Sequence, residues 1–149
     1  MSAEPSARAI AWAAEQLGST VVDATPLLGG VEAVVNRVRL ADGRDIVVRA
    51  FDNGGEWGPD HEIVALRALT DVPIPMSKLL AEDLSGDRAG LPTVVVSYLP
   101  GEISYAQPPA VVAAAVEPIF RTLAGLEVTD ALRELPDELA YVVKRLSGP

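Results

Sequence analysis

Two charged residues, Arg49 and Glu62, lie at positions that the spacing of the neighbouring apolar residues predicts to be partly buried. Arg49 lies in the β-branched run Asp45-Ile46-Val47-Val48-Arg49-Ala50, which is typical of a strand, and shares a face with Val47 because strand side chains alternate. Glu62 follows Pro59 on a helical stripe of positions 62, 65, 66 and 69. A carboxylate on a buried stripe needs a cation opposite it, since an unpaired buried charge is unfavourable. We therefore predict an ion pair between Arg49 and Glu62.

The residue inventory excludes several kinds of chemistry. The chain has no cysteine, which excludes disulfides, thiolate metal sites and cysteine nucleophiles. Its one histidine, His61, excludes a metal site of several histidines and leaves little room for a Ser/His/Asp triad. The formal charge of −9 and the lack of a Lys/Arg cluster argue against nucleic acid and anionic membranes. An acidic surface suits either a cationic substrate or simple solubility.

The 149 residues fit one domain. Their hydrophobic content of 49% is high for a free soluble domain of this size. The mean hydropathy of +0.25 indicates either apolar surface that contacts something else or many alanines and valines that tolerate exposure. The N-terminus lacks the basic and apolar segments of a signal peptide, and the longest apolar run, Ala110 to Val116, is too short to span a membrane. The expected location is the cytoplasm.

The elements that would position Arg49 and Glu62 can be read in order. An alanine-rich helix from Ser6 to Leu17, ended by Gly18, precedes three short strands that should form an antiparallel meander. After the Glu62 helix, the alternating prolines of Val72-Pro73-Ile74-Pro75 enforce an extended path, and two more strands follow. The predicted strands cover Val21 to Leu28, Val34 to Leu40, Arg44 to Phe51, Ser77 to Glu82 and Thr93 to Tyr98.

From Pro108 the pattern becomes helical. An apolar face runs from Val111 to Leu126, which Pro118 should kink or split. A last short helix is predicted from Pro136 to Leu146. The fold class is therefore α+β: a five-stranded, mostly antiparallel sheet with a packed helix, then C-terminal helices. The predicted division is residues 1–107 for the sheet with its helices and 108–149 for a helical segment.

A series of short motifs accompanies this order of elements: Leu28-Gly29-Gly30, Asn36-Arg37-Val38, Asp42-Gly43, Val47-Val48-Arg49, Glu62, Val72-Pro73-Ile74-Pro75, Ser97-Tyr98-Leu99-Pro100-Gly101 and Leu123-Ala124-Gly125-Leu126-Glu127. With these motifs, the order resembles the N-terminal lobe of the aminoglycoside phosphotransferase family of small-molecule kinases, which share the protein-kinase-like fold. The resemblance spans roughly residues 20 to 127. Glu127 stands where the family's Leu-Ala-x-Leu-His helix has histidine.

The resemblance implies a nucleotide site. In such kinases a strand cation pairs with a helix carboxylate and holds the α and β phosphates of ATP, which implies that role for Arg49 and Glu62. Gly29 and Gly30 would cover the phosphates, although the turn is not a G-x-G-x-x-G loop. The backbone of Ser97, Tyr98 and Leu99 would form the hinge that hydrogen-bonds adenine. The alternatives are a purely structural ion pair and an ordinary hairpin turn.

The sequence departs from the family after Glu127. Phosphoryl transfer in this fold needs a catalytic aspartate, an asparagine for magnesium and a second metal-binding aspartate, all in the C-terminal lobe. No His-Gly-Asp followed by asparagine occurs in this sequence, Asn53 is its last asparagine, and Asp130 and Asp137 resemble helix caps. Magnesium would then be supplied by the missing C-terminal lobe. Residues 108–149 would be the start of a truncated C-terminal lobe.

Two functions remain from the sequence. The chain is either the ATP-binding lobe of a small-molecule kinase, unable to transfer phosphate alone, or a non-catalytic interaction module. Because a lobe without its partner would expose the apolar face after Pro108, we predict a homo-oligomer or a separate catalytic-lobe partner.

Overall fold

The computed structural model describes residues 3–28, 33–52, 59–101, 107–128 and 130–133. Gly29, Gly30 and the predicted helix from Pro136 to Leu146 lie outside these residues. The helices are α1 (Ala3–Gln16), α2 (Pro59–Ala68), α3 (Pro109–Ala124) and α4 (Asp130–Arg133). The strands are β1 (Val21–Leu27), β2 (Val34–Leu40), β3 (Asp45–Ala50), β4 (Leu79–Asp83) and β5 (Thr93–Ser97).

The five strands form one antiparallel sheet in the order β1-β2-β3-β5-β4. The first three make the predicted meander, and the turn between β2 and β3 contains Gly43 at φ +87°, a left-handed conformation that glycine adopts without a Cβ clash. Strand β5 then pairs with β3, which places Val94 directly opposite Arg49. The α+β fold class and the antiparallel sheet are confirmed.

Helix α1 covers one face of the sheet. Its small side chains Ala9 and Ala13 are fully buried, which lets the helix approach the strands closely. Gly18, at φ +64°, ends the helix as predicted, and its amide donates to the carbonyl of Glu15 at 3.0 Å. The core on this face comprises Ala9, Trp12, Ala13, Ala14, Val38, Leu40, Ile46, Val48, Ala50, Ala89 and Val95.

Helix α2 packs on the opposite face of the sheet. Ile63 and Leu66 are buried there, one helical turn apart and therefore on the same side of the helix. They form a smaller core with Phe51, Val94 and Val96. The sheet therefore lies between two helices, and the face under α2 carries Arg49.

The loop from β4 to β5 folds around the carboxylate of Asp83. That carboxylate accepts hydrogen bonds from the amides of Gly86, Arg88 and Ala89 at 3.2, 2.9 and 2.8 Å, and from the hydroxyl of Ser85 at 3.0 Å. Burial, the largest single influence, would raise the pKa of Asp83, but these hydrogen bonds together lower it. The loop is thus organised by one ionised side chain.

Helix α3 differs from the other long helices because none of its residues is buried. Phe120 is 67% exposed and Val111 is 53% exposed. The helix is continuous from Pro109 to Ala124, so of the two expected effects, a kink or a split, Pro118 does not produce the split. The missing Pro118 amide removes one backbone hydrogen bond, and the flanking turns keep the helix continuous.

The boundary between residues 107 and 108 stays a prediction, and α3 begins directly after it. Among the described helices, none has both the length and the apolar character needed to cross a bilayer.

Candidate functional site

The predicted ion pair between Arg49 and Glu62 is present. Nη1 of Arg49, on β3, donates to Oε1 of Glu62, in the first turn of α2. Both side chains are partly buried, with 35% and 24% of their surfaces exposed. The strand alternation that buries Ile46, Val48 and Ala50 on the α1 face sends Arg49 to the α2 face. Sequence periodicity was sufficient to find this contact.

The guanidinium of Arg49 lies over an apolar floor. Its Cζ is 5.7 Å from the centroid of the Phe51 ring, a favourable cation–π distance. Val35 and Val94 are its direct neighbours across β2 and β5, and Val94 is fully buried. A cation held above aliphatic side chains can bind an anionic group of a ligand whose apolar part packs beside it.

Burial raises the pKa of Glu62 above its ordinary value, and the charge of Arg49 and its hydrogen bond oppose this effect only in part. The carboxylate is therefore held in a site that penalises its ionised form. The guanidinium has five N–H donors, and Glu62 receives its bond from Nη1. Nε of Arg49 is buried without an acceptor among the described residues. The pair leaves donor capacity on Arg49.

The predicted hinge begins at Ser97, the last residue of β5, and continues through Tyr98 and Leu99. The amide of Ser97 donates to the carbonyl of Lys78 at 2.9 Å, and the amide of Tyr98 donates to the carbonyl of Asp45 at 3.2 Å. A base that binds this segment must therefore use its carbonyl groups or the amide of Leu99, whose side chain is half exposed. The hinge assignment stays a prediction. The groups that could bind adenine are the carbonyls of this segment and the amide of Leu99.

The Tyr98 ring belongs to a cluster that sequence reasoning missed. The guanidinium carbon of Arg37 lies 4.1 Å from the ring centroid, and Nη2 of Arg37 donates to Oδ2 of Asp45 at 2.5 Å. Nε of Arg39 donates to the other oxygen of Asp45 at 3.3 Å. The hydrogen bond from Arg37 is the main cause that lowers the pKa of Asp45. Alternation along β2 and β3 puts these charges on one face, and that signal was present in the sequence.

This charged cluster lines a groove of about 230 Å³ on the face that carries Arg49. The groove is bordered by two arginines and two aspartates, so its charges balance. Its lining residues are Asp23, Thr25, Leu27, Arg37, Arg39 and Asp45. The groove runs on this face of the sheet to the edge strand β1. Its charged side chains lie beside the hinge, where Arg37 contacts Tyr98.

A second ion pair joins α2 to the sheet. Nη2 of Arg67, in the last turn of α2, donates to Oε1 of Glu82 on β4 at 2.6 Å. Arg67 is 62% exposed and Glu82 is 26% exposed. Sequence reasoning missed this pair because a charge at a helix end is ordinarily solvated. The helix is thus tied to the sheet at both ends.

Three other candidate residues are His61, Glu127 and Asp130. The side chain of His61 lies outside the described residues, and Glu127 is exposed. Asp130 begins α4 and accepts a hydrogen bond from the Arg133 side chain at 2.8 Å, and its role as a helix cap stays a prediction. Within the described ranges, no three acidic or imidazole side chains come together to hold a metal ion.

Comparison with protein-family models matches residues 23–147 to the one described as the Phosphotransferase enzyme family (APH). The match covers β1 from residue 23 onward, strands β2 to β5, α2, the hinge segment and α3. No match was found among the curated proteins. The family match includes both members of the Arg49–Glu62 pair.

Proposed function

The chain belongs to the Phosphotransferase enzyme family, and from this premise we propose that it is an ATP-binding lobe that cannot transfer phosphate alone. The observation that carries the proposal is the Arg49–Glu62 ion pair. Arginine forms bidentate, charge-assisted hydrogen bonds with phosphate oxygens. Glu62 fixes the guanidinium while its other donors face the α and β phosphates.

The surroundings of Arg49 support a nucleotide as the ligand. Phosphates would lie at the guanidinium, and the base would pack on Val47 and Val96, which pair across β3 and β5 on the same face. The hinge carbonyls, with the amide of Leu99, would supply the polar contacts that orient the base. Gly29 and Gly30 remain the proposed cover for the phosphates.

The residues for transfer are not in this sequence. It contains no His-Gly-Asp motif, and no asparagine follows Asn53. Among the described residues, no group of three or more His, Cys, Asp or Glu side chains could hold a metal ion. The described part of the chain therefore does not fit magnesium. The proposal therefore assigns the catalytic aspartate and the magnesium ligands to a separate catalytic lobe.

Titration calorimetry with ATP and magnesium tests this proposal. The wild-type chain should bind ATP, and Arg49→Ala should weaken binding by about tenfold or more, because a charge-assisted contact to a phosphate contributes about 1.5–3 kcal/mol. Arg121→Ala is the matched control, since Arg121 also pairs with a glutamate but lies on the exposed helix α3. No heat with the wild-type chain, or equal losses in both variants, would reject the proposal.

A second candidate function, a non-catalytic interaction module, is favoured by the exposed helix α3. Its apolar residues Val112, Val116 and Ile119 are only partly covered, and Phe120 is 67% exposed. Such an amphipathic face suits a second copy of the chain or a partner subunit. This function predicts an assembly that does not respond to nucleotide.

Analytical ultracentrifugation of the chain with and without ATP distinguishes the two candidates. Val116→Asp or Phe120→Asp should dissolve an assembly that uses α3. Arg121→Glu changes the charge of the same helix at a 79% exposed position and should leave the assembly intact. A monomer at all concentrations, or an assembly indifferent to both apolar substitutions, argues against the module.

A further inference from the structure

The two ion pairs that hold α2 on the sheet have opposite polarity. Near the start of the helix, the carboxylate of Glu62 meets the strand cation Arg49. In its last turn, the helix cation Arg67 meets the strand carboxylate Glu82 at 2.6 Å. Glu62 and Arg67 are five residues apart, or about 7.5 Å along a helix axis. A helix held at two separated points has little freedom to rotate or slide.

The strand partners of these pairs lie in one row across the sheet. Glu82 on β4 is opposite Val94 on β5, and Val94 is opposite Arg49 on β3. Two strand spacings separate Glu82 from Arg49, which is about 9.6 Å. This span exceeds the rise between Glu62 and Arg67 by about 2 Å. The long side chains of the two arginines and two glutamates bridge this difference, because both ion pairs form.

Apolar packing between the two pairs does not define this alignment by itself. Ile63 and Leu66 pack on Phe51, Val94 and Val96, but hydrophobic contacts are non-directional. Hydrogen-bonded ion pairs have preferred distances and angles, so they select one orientation among several that bury the same area.

The negative charge of the partly buried Glu82 carboxylate is compensated by Arg67. Its Oε2 is buried and has no hydrogen-bond partner within the described part of the chain, and Oε1 accepts from Arg67. Loss of the Arg67 cation would leave a partly buried carboxylate uncompensated, which disfavours the docked position of the helix.

We propose that Arg67 and Glu82 form a positioning pair that sets α2 on the sheet so that Glu62 holds Arg49 in the orientation that binds phosphate. The inference rests on the proposed nucleotide-binding function. Arg67 and Glu82 touch no ligand in this scheme, and their influence on binding passes through Glu62.

Charge reversal tests the pair with two independent measurements. Arg67→Glu and Glu82→Arg should each weaken ATP binding by about fivefold, as expected for a partly exposed ion pair, and the double variant should restore it. NMR titration of the Glu62 carboxyl is the second measurement. In each single variant the pKa of Glu62 should fall towards its ordinary value, because the burial that raises it is reduced.

Arg121→Glu is the matched control, since Arg121 forms its ion pair on an exposed helix; neither ATP binding nor the Glu62 titration should change. Unchanged Glu62 titration in both single variants, or no recovery in the double variant, overturns the positioning pair. If the wild-type chain does not bind ATP, the proposed function fails while the titration still decides this inference. Should a reversed variant not fold, Arg67→Gln and Glu82→Gln provide the same comparison.

Discussion

The guanidinium carbon of Arg37 lies 4.1 Å from the centroid of the Tyr98 ring, so the hinge side chain stacks beneath a cation from β2. The same guanidinium donates to Asp45, whose carbonyl accepts from the amide of Tyr98. Three contacts thus link the second strand, the third strand and the hinge. This linkage holds the hinge at a fixed distance from the sheet face that carries Arg49.

Arg37→Ala should raise the pKa of Asp45 towards its ordinary value of 3.8, because the hydrogen bond from Arg37 is the main cause of its lowering. A lowered pKa means that ionised Asp45 stabilises the fold above pH 3.8 and that this contribution disappears as pH falls through the folded-state value. The substitution should therefore reduce the acid-dependent loss of stability. NMR titration of the carboxyl measures the shift.

Tyr98→Phe is the control for this prediction. It keeps the ring under Arg37 and the backbone bond to Asp45, so the pKa of Asp45 should stay low. An Asp45 titration that is the same in Arg37→Ala and in the wild type would show that Arg39 alone maintains the ionised carboxylate.

Asp83→Ala should lower the free energy of unfolding by about 2–3 kcal/mol, because it leaves several loop amides without an acceptor. The amide of Ala89 is among them, and Ala89 is fully buried. Asp83→Asn should have a smaller effect, since its amide oxygen still accepts. Urea unfolding measures both, and equal stability of Asp83→Ala and wild type would contradict the role assigned to the carboxylate.

Gly86→Ala should destabilise the same loop more than Gly43→Ala destabilises its turn. Both glycines have positive φ, +73° and +87°, so alanine strains the backbone by about 1–2 kcal/mol at each. A Cβ at Gly86 would also lie 2.6 Å from the backbone carbon of Leu91, whereas a Cβ at Gly43 would meet nothing within 4 Å. Thermal unfolding of the two variants gives the comparison, and equal losses would contradict the predicted clash.

Local periodicity was sufficient to predict the elements and the Arg49–Glu62 pair. Strand alternation and the helical stripe each fix the direction of one side chain, and the short connection between them brings the two together. The contact between Arg37 and Tyr98 could not be found this way, because β5 reaches β3 only through the tertiary sheet order. The Arg67–Glu82 pair was missed because a charge at a helix end is ordinarily solvated and because its partner lies on β4, whose place at the edge of the sheet is also set by the tertiary strand order.

The helix α3 shows a different limit of sequence reasoning. Its amphipathic pattern predicted an apolar face correctly, but the pattern does not state what covers that face. Pro118 was expected to kink or split the helix, and the helix is not split because a proline removes only one hydrogen bond when the next turn continues. The turn after it contains Thr122, whose hydroxyl donates to the carbonyl of Pro118 at 2.9 Å.

Glu62→Gln should change how stability depends on pH. Burial raises the pKa of Glu62 above 4.5 in the folded state. A group with a raised pKa contributes stability fully below its unfolded value and loses that contribution as pH rises through the folded value. The wild type should therefore lose stability relative to Glu62→Gln as pH rises above 4.5, and the difference should then remain constant.

Urea unfolding of both chains from about pH 4 to about pH 8 measures this difference. The other titrating groups are common to both chains, so their effects cancel in the subtraction, and glutamine keeps an oxygen that can accept from Arg49. If instead the wild type gains relative stability as pH rises, the attraction between Arg49 and the ionised carboxylate outweighs the penalty of burying it. If the wild type loses relative stability, the penalty of burying the ionised Glu62 outweighs its attraction to Arg49, and the ion pair lowers the stability of the fold. This is the sign expected for a pair that is kept to bind phosphate.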